Sequence, residues 1–201
     1  MSEQESYNTR QTLIQRMKDG DNEQSWEEFL QIYRPYIYAI IRNMNVSGDD
    51  AEDIVQHVML KVWKGIGKVE YSPVRRFRNW LSTVTSNCVK DFIRKRAAAA
   101  ERLEVASRDD TLSYLHAIAL PDIDRIAEKE WGTHLANMAM ERIEGAFSKK
   151  AVQSFMMSLE GVPAPEIAQK LDIKLNSVYR LKNRVKERLA EEIELLRSQL
   201  E

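Results

Sequence analysis

The chain has 201 residues and a formal charge of −1, which leaves room for one or two domains and no overall attraction for a polyanion. Its lone cysteine, Cys88, excludes an internal disulfide, and the lack of a signal-peptide pattern or a long apolar run leads to the expectation of a reducing cytoplasm and no membrane partner. Only 7 Gly and 5 Pro, long stretches of 3.6-residue periodicity and no period-2 alternation predict an all-α protein.

Thr9 to Lys18 reads as a short helix closed by the turn signal Asp19-Gly-Asp-Asn22. Ser25 to Met44 follows as a second helix, whose broad apolar face of Trp26, Phe29, Leu30, Tyr33, Ile37, Ile40 and Ile41 is expected in a core. Pro35 is expected to kink or divide it. Asn45-Val-Ser-Gly48 breaks that helix, and Asp49 to Lys64 begins the next with acids suited to the positive end of the helix dipole. Its apolar residues reach nearly all the way round, predicting burial on more than one side. Asp53, Gln56, His57, Lys61 and Lys64 form the remaining polar stripe, either plain surface or the seat of a partner helix.

After a loop carrying Glu70, Tyr71, Ser72, Pro73, Arg75 and Arg76, a long two-faced helix is expected over Phe77 to Arg96. Phe77, Trp80, Leu81, Val84, Cys88 and Phe92 form its core side, and Asn79, Thr83, Ser86, Asn87, Lys90 and Arg94 a polar and cationic stripe opposite. Asn, Ser and Thr are mediocre helix formers, so helix propensity does not explain their concentration on one face. Amides and hydroxyls beside cations suit contact with bases and phosphates together. From Arg75 to Arg96 the residues Arg75, Arg76, Arg78, Lys90, Arg94, Lys95 and Arg96 face Asp91 alone, whereas 101–144 is acid-rich. Two basic islands separated by an acidic stretch suggest two contacts on one polyanion.

The expected organisation is two small helical domains, 9–100 and 122–201, joined by an acidic flexible linker over 101–121. The second holds helices near Ile123 to Ile143 and Lys149 to Leu159, then a helix-turn-helix. Val162 to Leu171 reads as a short helix opened by Pro163 and Pro165, Asp172-Ile-Lys-Leu175 as the turn, and Asn176 to Arg188 as a basic second helix of the kind that enters a major groove. Val178, Leu181, Val185 and Leu189 form its apolar seam; Arg180, Lys182, Arg184, Lys186 and Arg188 cover most of what remains. Asn176 is the expected N-cap. Arg180 and Arg184 suit guanine edges, Asn183 adenine, and Lys182 and Lys186 phosphates. Ser177 and Tyr179 complete this candidate surface.

Asp49-Asp-Ala-Glu-Asp-Ile-Val-Gln56 followed by Val62-Trp63, then Phe77-Arg-Asn-Trp-Leu81 with Asn87 and Asp91-Phe-Ile-Arg94, then a C-terminal helix-turn-helix, together resemble the extracytoplasmic-function sigma factors of the sigma-70 family. The resemblance spans most of 25–96 and again roughly 138–195. It implies that Asp49, Asp53, Gln56, His57 and Lys61 dock on core RNA polymerase. It further implies that a single-stranded minus-10 element lies on the loop 70–76 and on Arg75, Arg76, Arg78, Asn79, Ser86, Asn87, Lys90 and Arg94, with a base extruded into a pocket. The helix-turn-helix would read a duplex minus-35 element, and an anti-sigma factor is a further candidate partner. His57 replaces the acid that usually follows the family's glutamine, and Asp172 stands where its turn commonly has glycine. Thr83 and Val84 occupy the region where housekeeping sigma factors carry a tryptophan pair that wedges DNA open.

Catalysis is disfavoured, since His57, His116, His134 and Cys88 are scattered, with no CxxC, HExxH or Gly-rich phosphate loop. No cofactor, metal or small-molecule substrate is expected. A helix-turn-helix regulator that binds duplex DNA without polymerase is the alternative, but it has no use for the second polar surface around Asn87. An interaction protein built on helix 49–64 leaves both basic islands unexplained.

Overall fold

In the computed structural model, which describes residues 13–18, 23–68, 74–103, 105–118 and 123–200, helix follows helix: α1 (13–18), α2 (Glu23–Arg42), α3 (Gly48–Gly65), α4 (Val74–Ala100), α5 (Val105–Ala117), α6 (Ile123–Ile143), α7 (Lys149–Leu159), α8 (Ala164–Leu171) and α9 (Leu175–Leu200). Short 3-10 turns follow α3 and α6. No strand occurs among the described residues, so the all-α class stands. The expected start at 9–12, the turn 19–22, the loop 69–73 and the segment 119–122 lie outside the described residues, as do the side chains of Arg75 and Arg76. The chain divides into two compact units, Met1–Gly132 and Thr133–Glu201. The division falls within α6 and not near residue 121.

In the first unit, α2 buries Phe29, Tyr33, Tyr36, Ile37, Ile40 and Ile41, a set recurring every three to four residues. Each such side chain contributes about 1.5–3 kcal/mol when fully removed from water. Of the two expected effects of Pro35, division of the helix does not occur: α2 runs on through it. Pro35 and Gln31 both lie on the exposed side, so the Gln31 carbonyl that loses its amide partner faces water. Ser47 caps α3, its Oγ accepting from the Asp50 amide at 3.3 Å. Helix α3 buries Ala51, Ile54, Val55, Val58, Met59 and Val62 but leaves Leu60 and Trp63 each 57% exposed. Burial is therefore on one broad side, correcting the prediction of burial on several.

Asp50 joins three helices. It accepts from Arg96 Nη1 at 2.6 Å, from the Tyr114 hydroxyl at 2.8 Å and from Ser47 Oγ at 2.9 Å. The Ser47 amide donates to the Tyr114 oxygen at 3.0 Å, and the Arg96 guanidinium sits 5.5 Å from the Phe92 ring and 5.7 Å from that of Tyr114. Much of the segment expected as a flexible linker is thus a helix, α5, tied to α3 and α4 and buried at Leu115. Its sequence shows little amphipathic pattern, and the polar bonds of Tyr114, along with the buried Leu115, hold it.

The start of α6 also belongs to this unit. Trp131 is 1% exposed, its ring centroid 6.0 Å from Tyr33 and 5.2 Å from Tyr36, with the Arg78 guanidinium 5.0 Å away on its face. The Tyr36 hydroxyl donates to the Ala127 carbonyl at 3.2 Å, and Arg78 pairs with Glu128 at 3.6 Å. Burial pushes the Tyr36 hydroxyl up from its ordinary pKa, keeping it a neutral donor.

In the second unit, Ile143, Ala151, Phe155 and Val185 form the core, with Met140, Phe147, Leu181 and Leu189 packed around them. Ser148 caps α7 through the Ala151 amide. Helix α8 ends on Asp172, which adopts the left-handed conformation at φ 48°, ψ 62°. The Ile173 amide reaches back to the Ala168 carbonyl at 3.0 Å and the Asp172 amide to that of Gln169 at 3.3 Å, the two bonds of a Schellman close. Three residues then separate α8 from α9, giving the helix-turn-helix its tight corner. Farther along, the buried Glu192 accepts from Arg188 Nη2 at 3.0 Å and Arg142 Nη1 at 3.2 Å.

Candidate nucleic-acid interface

Helix α9 begins earlier than expected. The Lys174 carbonyl accepts from the Ser177 and Val178 amides at 2.8 and 3.2 Å, so Lys174 occupies the cap position and Asn176 lies inside the first turn. Asn176 is exposed, and its amide is free to face a ligand instead of closing the helix. Val178 and Val185 are buried, with Leu181 and Leu189 half-buried beside them. Advancing about 100° per residue from that seam places Arg180 and Arg184 on one flank, Leu175, Tyr179, Lys182 and Lys186 on the other, and Asn176 and Asn183 between. Tyr179, Arg180, Asn183, Arg184 and Lys186 are exposed, Ser177 and Lys182 half-buried. Lys182 Nζ stands 5.7 Å from the Tyr179 ring centroid. Among the described residues no ion pair engages Arg180, Lys182, Arg184 or Lys186. Arg188, by contrast, is turned back onto Glu191 and Glu192. The uncompensated cations are therefore those nearest the helix-turn-helix corner, where a positive field attracts phosphate.

In the first unit, Asn79, Thr83, Asn87, Lys90 and Arg94 are exposed along one side of α4. Two candidates are not with them. Ser86 is 9% exposed and Arg78 only 7%, because the buried side of α4 is wider than expected and takes in Val89 and the polar Ser82 and Thr85. Serine and threonine can enter it because the hydroxyls of Ser82 and Thr85 donate to the Arg78 and Leu81 carbonyls one turn back, each at 2.9 Å. Arg78 is drawn in by the Trp131 face and Glu128. Arg96, from the same basic island, is committed to Asp50, and Arg94 pairs with Asp91 at 2.8 Å. Asn79, Thr83, Asn87 and Lys90, with Arg94 at the end, remain as the outward stripe.

Asp49, Asp53, Gln56, His57 and Lys61 are all exposed on α3. His57 Nδ1 lies 2.8 Å from the Asp53 carbonyl, a bond that needs the proton on that nitrogen. Lys61 bonds Asp91 of α4 at 3.1 Å; that bond raises the Lys61 ammonium above its ordinary pKa and holds the Asp91 carboxyl below its own. Burial pushes the nearby Cys88 thiol up, leaving it neutral and packed. Leu60 falls within the polar stripe and Trp63 at its margin, where it meets Trp26 edge-on at 5.1 Å. Neither of these exposed apolar residues is among the expected site residues, although Trp63 belongs to the Val62-Trp63 pair of the sequence motif. An apolar centre rimmed by Asp53, Gln56 and Lys64 is the make-up of a protein-docking face.

No group of three or more metal-ligating side chains occurs among the described residues, and no described helix is long and apolar enough to cross a membrane.

Comparison with known proteins bears on the same segments. Residues 29–99 match the model of sigma-70 region 2. The chain is 30% identical over 109 residues to the RNA polymerase sigma factor CarQ of Myxococcus xanthus, covering 54% of this chain and 58% of that protein. It is 24% identical over 184 residues to the ECF RNA polymerase sigma factor SigW of Bacillus subtilis, covering 90% and 94% of the two chains. Over 188 residues it is 20% identical to the ECF RNA polymerase sigma-E factor of Haemophilus influenzae, covering 94% and 97%.

Proposed function

Because the chain belongs to the extracytoplasmic-function group of the sigma-70 family, we propose that it binds core RNA polymerase and directs initiation by reading a single-stranded minus-10 element with α4 and a duplex minus-35 element with α9. The observation that carries this reading is that two separate units each present a polar, cationic surface of different make-up. On α9 the uncompensated Arg180 and Arg184 stand to one side of the exposed Asn183, a set suited to duplex base edges. On α4 the Asn79, Thr83, Asn87 and Lys90 stripe offers amides and a hydroxyl with little charge, better suited to unpaired bases than to a phosphate ladder. The polymerase contact falls to α3, where Leu60 and Trp63 add apolar area to Asp53 and Gln56. An anti-sigma factor that covered this face would compete with polymerase. The reading assigns no catalytic step to this chain, and a cytoplasmic setting follows from the polymerase partner.

The test is binding of the protein with core polymerase to a promoter fragment carrying the minus-10 region either paired or as an unpaired bubble. The bubble should bind more tightly, and Asn87→Ala should alter base preference there while leaving the polymerase complex intact. Equal affinity for both templates, with an unchanged preference in Asn87→Ala, would remove α4 from minus-10 reading.

A further inference from the structure

In its first turns helix α9 carries two large apolar side chains on its outer surface that neither the core nor the cation set accounts for. Leu175 is 41% and Tyr179 47% exposed. They are four residues apart and so stand one above the other on the same flank, away from the buried line of Val178 and Val185. Both lie in the first turns of the second helix of the helix-turn-helix, the part that reaches base edges when such a helix enters a major groove. Lys182, 5.7 Å from the Tyr179 ring, and Lys186 border them on the same flank, while Arg180 and Arg184 stand on the other.

From this division of the helix we infer that Leu175 and Tyr179 form an apolar reading edge for thymine C5-methyl groups in the duplex. The inference deepens the minus-35 reading and rests on it. The cations around the pair argue for DNA as the occupant: a patch bordered by the uncompensated Lys182 and Lys186, on a helix whose other flank carries the uncompensated Arg180 and Arg184, complements a polyanion. The thymine methyl is the one apolar group that the major groove presents. The two flanks then read different things. Arginines on one side take acceptor-rich guanine edges. Leu175 and Tyr179 on the other take A·T pairs by their methyls, with Lys182 and Lys186 placed for the adjoining phosphates. A site recognised by this chain therefore combines a G·C-containing step with neighbouring thymines on the strand facing the Tyr179 flank.

The experiment first selects duplexes from a randomised pool with the full chain, alone and with core RNA polymerase. Each thymine of the selected site is then replaced in turn by 2′-deoxyuridine, which lacks only the methyl. One or two positions should lose up to about fourfold in affinity, the value of one fully buried methyl-sized group. In Leu175→Ala or Tyr179→Ala that sensitivity should vanish at its position, while Tyr179→Phe, which retains the ring, should keep it. Helix content measured by circular dichroism should be unchanged, since both side chains are outside the core.

Uridine at every thymine without effect on the unmodified protein, in a site whose selection still depends on Arg180, would overturn this inference and leave the minus-35 reading standing. Variants that keep the full uridine sensitivity, or that lose polymerase binding and not thymine discrimination, would also overturn it. Failure to enrich any duplex under either condition would remove the minus-35 reading and this inference together.

Discussion

Arg180, Arg184 and Lys186 share one helix yet have different expected tasks, so their substitutions should separate. Arg180→Ala and Arg184→Ala should each weaken binding at particular minus-35 bases by about 1–3 kcal/mol, whereas Lys186→Ala should weaken all sequences alike and lower the salt slope by about one. Equal losses on every duplex for all three would show that the arginines do not read bases. Lys61 and Asp91 give a second residue-scale prediction. The carboxyl's pKa is lowered by its bond to Lys61, so its contribution is present above about pH 4 and lost as pH falls through the lower folded value. The ammonium's pKa is raised by the same bond, so its contribution is present below about pH 10 and lost only as pH rises through the higher folded value. Between these limits the α3–α4 link should not vary. In Lys61→Met the Asp91 titration followed by NMR should move up toward the ordinary carboxylate range, and an unmoved midpoint would contradict the pairing. At this scale the exposure of the candidate residues is largely legible, because helical spacing alone places Arg180, Asn183, Asn87 and Gln56 outward. The burial of Arg78 and Ser86 is not. What buries Arg78 is Trp131, distant in sequence, and what admits hydroxyls beside Ser86 is backbone bonding one turn back, which no pattern of apolar residues reveals.

At the scale of elements, the corner between α8 and α9 depends on Asp172 holding a left-handed conformation that costs a non-glycine residue about 1–2 kcal/mol. Asp172→Gly removes that strain but frees the unfolded chain, so it should change stability by less than about 1 kcal/mol, on the stabilising side. Asp172→Val, β-branched, should destabilise by more than about 1 kcal/mol; urea unfolding followed by circular dichroism separates the two. Equal effects would mean that the backbone angle is not what the position demands. Apart from α5, the helices follow from periodicity and turn signals in the sequence. Boundaries do not, and for physical reasons: α9 starts on the Lys174 carbonyl without a side-chain cap, so Asn176 misleads, and α2 passes Pro35 because its lost bond faces water. Helix α5 was illegible because the bonds that hold it, Tyr114 to Asp50 and Ser47, join residues far apart in sequence.

For the molecule as a whole, a net charge of −1 conceals surfaces of opposite use: uncompensated cations on α9, a polar stripe on α4 and a mixed apolar and acidic face on α3. The first unit also extends beyond the helices that carry its candidate sites, since the start of α6 closes its aromatic core through Trp131. Trp131→Ala should cost that unit about 3–5 kcal/mol. A loss below about 1 kcal/mol would show that the α6 segment is not part of its fold. The claim that joins the three surfaces is that they serve one polymerase at one promoter, and mixing the purified full chain with core RNA polymerase tests it directly. The two should co-elute, and transcription should start only on templates carrying the selected promoter. A chain that binds duplex DNA yet neither co-elutes with polymerase nor supports promoter-dependent transcription would contradict it.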